Sequence, residues 1–299
     1  MTREKIESTP GRHIRIGDEL IRYSDSERVI DSDFAHDFNV ILIHGFTAHG
    51  DYLHNLAKDL GNNGFNVFIY NYYSLNGILR AANCLSEMLV GLDELSGGII
   101  LKRKVGLVCH SMGGLVGRSV GTFTDAKKFV SSIVTLGTPH DGTLSNWNLL
   151  KILVKSGEYL TGKPLGYRSD CESAKELIKQ DSYNDVGLIS SLNEKVDILK
   201  DIPMLGISGG RKWLEVGKNQ IANVLANRSI QRALAGKVND GLVAENSSDM
   251  SNVLKNPSSV NYNHLNDYSD YKYINHSYLP DNQAISIKIS TWLKNISKS

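Results

Sequence analysis

Three cysteines in 299 residues, Cys84, Cys109 and Cys171, are too few and too scattered to form a disulfide framework. The odd count suits a reducing compartment. No grouping of cysteine and histidine has the spacing of metal ligands, so no metal or other cofactor is expected. Charge bias is missing as well: the formal net charge is +1, which gives nucleic acid no electrostatic handle. No apolar run approaches the ~18 residues that a membrane span requires. Met1-Thr2-Arg3-Glu4-Lys5 opens a polar segment without the apolar stretch of a secretory signal. A cytoplasmic location is therefore expected, with signal-independent export left open. Internal repeats and low-complexity tracts are also lacking.

What is present is an ordinary globular balance, 41% apolar and 22% charged, enough to fill a sizeable core. Val40-Ile41-Leu42-Ile43 is a continuous apolar run of the kind that forms a strand buried on both faces. Tyr52, Leu53, Leu56 and Leu60 follow at helical spacing, with Gly61 to Gly64 as the stop. Phe65 to Tyr70 predicts a strand, and Ile78, Ala82, Leu85, Leu89 and Leu92 predict a long amphipathic helix ended by Gly97-Gly98. Further strands are expected at 105–108, 129–136 and 203–207, and a last amphipathic helix over Ile285 to Ile296. An opening strand pair is expected from Ile14, Ile16 and Leu20 to Tyr23. Alternating strand and helix argue for an α/β fold, a mostly parallel sheet covered by helices on both faces. The rhythm breaks after Gly142. Residues 143–201 hold an apolar patch, Trp147 to Val154, and then a polar region, which we read as a cap or lid inserted in a single domain over 1–299. The patch also raises peripheral contact with a lipid bilayer.

Cys109-His110-Ser111-Met112-Gly113 follows the strand at 105–108, and a helix-compatible stretch follows Gly114. A serine on a sharp strand-to-helix turn is the arrangement that lifts a hydroxyl nucleophile above a parallel sheet. Such a hydroxyl needs a base to take its proton during attack. Acyl transfer also needs two backbone N–H groups aimed at the developing oxyanion. Met112, after the nucleophile, and Phe46, in His44-Gly45-Phe46 after the early strand, are the candidate donors. His44 reads as a brace for that loop. Asp240, in Asn239-Asp240-Gly241, lies downstream of the nucleophile and upstream of two C-terminal histidines, the chain order Ser…Asp…His.

Two histidines compete for the base. His276 lies between a strand expected at 271–274 and the last helix, which favours it; His264 lies in Asn263-His264-Leu265 and is otherwise a hydrogen-bonding loop residue. His110 and His140 read as structural.

With these residues in place, the chain resembles the α/β-hydrolase superfamily and, within it, bacterial lipases and related esterases. The resemblance rests on His44-Gly45-Phe46, His110-Ser111-Met112-Gly113-Gly114, Gly137-Thr138-Pro139-His140-Asp141-Gly142 and Asn239-Asp240-Gly241-Leu242-Val243. It leaves 143–201 unmatched. It implies an α/β-hydrolase fold with Ser111 as nucleophile, Asp240 as acid, a C-terminal histidine as base, and Phe46 and Met112 as the oxyanion hole. The activity implied is cleavage of a small-molecule or lipid-like carboxylic ester through an acyl-enzyme. A thioesterase, acyltransferase or amidase could use the same nucleophile, and a non-catalytic binding protein could keep the same fold. Two positions depart from the pattern. Cys109 stands where the G-x-S-x-G motif has its first glycine. Asn266 stands where calcium-holding lipases would want a carboxylate, so no calcium is expected.

Overall fold

The structure is a computed structural model that describes residues 18–24, 27–28, 31–142, 171–177, 181–182, 185–214, 220–235, 237–254, 257–265 and 274–297. Ile14, Ile16, the apolar patch at 147–154 and most of the strand expected at 271–274 lie outside the described residues.

In chain order, β1 (Glu19–Arg22) and β2 (Glu27–Arg28) precede β3 (Asn39–Ile43), α1 (His54–Asn62), β4 (Asn66–Asn71), α2 (Ile78–Leu95) and α3 (Ile99–Arg103). β5 (Val105–His110), α4 (Met112–Phe123) and β6 (Val130–Leu136) follow. Beyond them come α5 (Glu172–Leu177), a small hairpin of β7 (Asp181–Ser182) and β8 (Asp185–Val186), α6 (Leu188–Glu194) and β9 (Met204–Ile207). The chain closes with α7 (Gln220–Ala233), α8 (Glu245–Ser248), β10 (Tyr262–Leu265) and α9 (Gln283–Ile296).

The main sheet has the order β10-β9-β6-β5-β3-β4-β1-β2. Pairing is parallel from β10 to β4, and β1 and β2 add an antiparallel edge. β3 and β5 are buried along their whole length, which explains why both read as near-continuous apolar runs. Alternate side chains of a strand point to opposite faces. Ile41, Ile43, Leu107 and Ile133 accordingly join α2 and α4 in one core. Val40, Leu42, Val108 and Val134 join α1 and α9 in the other. Ile189, Leu192, Val196 and Leu199, from the second half of the expected insertion, pack into the first of these cores.

Two segments differ from the sequence-based expectation. His264, expected in a loop, sits on the edge strand β10, in register with Gly206 of β9. Its segment, Tyr-Asn-His-Leu, has no clear alternation, so pairing with β9 and not side-chain pattern makes it a strand. Helix α7 interrupts the route from β9 to Asp240, where the sequence reading had no element. The parallel register brings the carboxyl ends of β3, β5, β6 and β9 to one edge, where ligands bind in sheets of this kind.

Candidate active site

Ser111 stands between β5 and α4 with φ 56° and ψ −127°, a backbone conformation that costs a non-glycine residue of order 1–3 kcal/mol. Its neighbours must be small. A Cβ on Gly113 would collide with the carbonyls of Ile43 and His44, and one on Gly114 with the Thr138 hydroxyl. Cys109, the departure from the motif, is accommodated from the helix side: its Sγ lies 2.8 Å from where a Cβ on Gly117 would stand. The turn is held by Ser111 N–H donating to Leu136 O at 2.8 Å and by the Thr138 hydroxyl donating to Ser111 O at 2.9 Å.

Asp240 and His276 meet beside this turn. His276 Nδ1 lies 2.7 Å from Asp240 Oδ2, and both side chains are nearly fully buried. The other carboxylate oxygen accepts from the backbone N–H of Leu242 at 3.0 Å and of Val243 at 2.7 Å. The Asp-Gly turn makes this possible, since Gly241 takes φ 99° and Asn239 Oδ1 receives its N–H at 2.9 Å. Two backbone bonds fix the imidazole's own residue. His276 N–H donates to Asp240 O at 2.8 Å, and His110 Nε2–H donates to His276 O at 3.0 Å. Because His110 donates through Nε2 to a carbonyl, it is the Nε2–H tautomer, and burial holds it well below the ordinary imidazole range. The two rings lie 4.8 Å apart, which puts the His276 imidazole one residue's width from the Ser111 turn. His276 Nε2 is buried and makes no hydrogen bond among the described residues, Ser111 included.

His264 is elsewhere and fully engaged. Its Nδ1 faces the Tyr262 hydroxyl at 2.9 Å and its Nε2 the Ser208 hydroxyl at 3.1 Å. The carboxylate it faces among the described residues is Asp249, at 3.9 Å, not Asp240. Burial lowers its pKa, with Asp249 and Glu245 opposing.

The loop after β3 lies against Ser111: a Cβ on Gly45 would stand 2.8 Å from Ser111 Cβ and 3.3 Å from its Oγ. His44 braces that loop. Its Nδ1 donates to Gly45 O at 3.0 Å, its Nε2 accepts the Tyr72 N–H at 3.3 Å, and its ring stacks on Tyr72 at 4.3 Å. Phe46 follows in a tight turn, with Ala48 N–H reaching Gly45 O at 3.3 Å. Met112 is the first residue of α4, where backbone N–H groups have no intrahelical acceptor and the helix dipole favours negative charge. Among the described residues no group of histidine, cysteine and carboxylate side chains could hold a metal ion.

Comparison with known proteins agrees with this architecture. The family description "PGAP1-like alpha/beta domain" matches residues 80–222, under half of the chain. A triacylglycerol lipase of Pseudarthrobacter phenanthrenivorans is 32% identical over 114 residues, 36% of this chain and 34% of that protein. One from Burkholderia plantarii is 32% identical over the same length, 30% of its own chain. The match thus spans about a third of these curated relatives. Among solved structures, a mature lipase of Bacillus licheniformis superposes with a TM-score of 0.59 at 17% identity, covering 88% of this chain and 92% of that one. A hydrolase from Oleispira antarctica gives 0.53 at 14%, covering 89% and 98%. The chain has the α/β-hydrolase fold. Over the matched stretch it is similar to triacylglycerol lipases, and in fold to a lipase and a hydrolase.

Proposed function

We propose that this chain is a serine hydrolase that cleaves carboxylic esters of acyl or lipid-like substrates. The observation that carries the reading is the His276–Asp240 pair, 2.7 Å apart, beside the strained Ser111 turn, with no partner on His276 Nε2 among the described residues. In this mechanism His276 Nε2 takes the Ser111 proton as Oγ attacks the ester carbonyl. Asp240 keeps the remaining proton on Nδ1 and stabilises the imidazolium. The tetrahedral oxyanion is received by the backbone N–H groups of Met112 and Phe46, an interaction worth about 3 kcal/mol per donor in comparable sites. The protonated His276 then gives its proton to the leaving alcohol, and water, activated by the same imidazole, releases the acyl group. No cofactor enters these steps. The triacylglycerol lipase relatives support an acyl ester as the substrate class.

Turnover of p-nitrophenyl butyrate and a longer-chain homologue tests the proposal. The purified chain should hydrolyse at least one of them, and Ser111→Ala should reduce that rate by at least about 10³-fold. Equal rates in the two proteins would overturn it.

A further inference from the structure

Arg118, on the middle of α4, is a fully buried side chain, and no carboxylate pairs with it among the described residues. A buried guanidinium is costly unless its donors are used. Its Nη1 donates to His140 Nδ1 at 3.2 Å, and its Nη2 donates to Leu192 O and Asn193 Oδ1, both at 3.0 Å on α6. Asn193 Nδ2 closes a triangle by donating to His140 O at 3.0 Å. Burial draws the Arg118 pKa down to about 10, so it stays a cation at neutral pH. A guanidinium can only donate, which makes His140 Nδ1 an acceptor and leaves its proton on Nε2, 3.3 Å from the Thr135 hydroxyl. His140 is thereby fixed in one tautomer and one orientation.

The segment fixed in this way is the one that touches all three members of the site. Thr138, two residues before His140, donates its hydroxyl to Ser111 O at 2.9 Å. Gly137 passes so close to the acid and base that a Cβ there would stand 2.8 Å from Asp240 Oδ2 and 2.9 Å from His276 Nδ1. At its far end Gly142 O accepts from the Ser247 hydroxyl at 3.1 Å. We propose that Arg118 is a positioning residue for Ser111: acting through His140 and Thr138, it clamps the 137–142 loop against the nucleophile turn and ties that loop to α6. This rests on the hydrolase reading above, because what it positions is the attacking serine.

The test is a double-mutant cycle of Arg118→Gln and Thr138→Val, read as kcat and KM on the ester the wild-type chain turns over. Each single variant should lower kcat by up to about 100-fold, the scale of an ångström-sized misplacement, with KM little changed. The double variant should fall no further than the worse single one, because both remove one chain of contacts. Arg118→Lys, whose single ammonium cannot reach both His140 and α6, should recover only part of the loss. Losses that multiply in the double variant, or an Arg118→Gln enzyme with wild-type kcat, would overturn the proposal. If Arg118→Gln fails to fold, Asn193→Ala replaces it in the same cycle with the same two outcomes. A wild-type chain with no ester turnover would sink the hydrolase reading instead. The clamp is then read by hydrogen exchange, where Asn193→Ala should speed exchange across 137–142 but not in α9; unchanged exchange there contradicts it.

Discussion

The chemistry of Asp240 follows from how completely its two oxygens are used. Oδ1 receives two backbone N–H groups and Oδ2 faces His276 Nδ1. An asparagine there would keep its oxygen on the two N–H groups and turn its NH₂ toward the imidazole. Nδ1 would then have to accept, the proton would move to Nε2, and the ring could no longer take a proton from Ser111. Asp240→Asn should therefore fold normally and lose about 10⁴-fold in kcat. Circular dichroism and steady-state kinetics together check this; a loss under about tenfold would remove the carboxylate from the mechanism. His264 illustrates the opposite case. Both of its ring nitrogens are already occupied, by Tyr262 and Ser208, so its role is to hold β10 against β9.

Among the elements, the contact of β5 with α4 shows how an imperfect motif still makes the turn. The helix can lie close to the strand because Gly117 leaves room for the Cys109 sulfur. Gly117→Ala would gain up to about 1 kcal/mol of helix propensity but force the overlap with Sγ, at about 1–3 kcal/mol. The urea midpoint should fall, and the Cys109→Ala/Gly117→Ala pair should recover it. A single Gly117→Ala variant more stable than wild type would contradict this packing. The same elements show what could be read in advance. β3, β4, β5, β6 and α2 were legible because burial on both faces, or on one helical stripe, writes itself into apolar spacing. The turns at Ser111 and Asp240 are legible because each carries its own local signature, a small-residue strand-to-helix bend and an Asn-Asp-Gly run. β10 was not, since four residues at a sheet edge carry little pattern. Neither was the Arg118–His140–Asn193 triangle, whose members lie on two helices and a loop and are joined only by folding.

For the molecule as a whole, two buried histidines and the half-buried His264 set a pH response. His110, His140 and His264 are each held below the ordinary imidazole range, with burial the largest cause; beside His140 the Arg118 cation adds to it. In the unfolded chain all three would take up a proton near pH ~6.5. Below that pH the unfolded state binds more protons than the folded one, so stability rises with pH through this window and is lost as pH falls. Each residue contributes at most about 1.4 kcal/mol per pH unit. The urea midpoint should therefore drop between pH 7.5 and 5.5, and His140→Gln should flatten part of that drop. A midpoint that is unchanged or higher at pH 5.5 would contradict the burial of these rings as neutral species.

The central claim is that Ser111 is made reactive by His276. Labelling with a serine-directed fluorophosphonate, followed by peptide mass spectrometry, tests it most directly. The adduct should map to Ser111 in the wild-type and His264→Gln proteins and be absent or strongly slowed in His276→Gln. An adduct elsewhere, no adduct on the folded chain, or dependence on His264 in place of His276 would contradict the account.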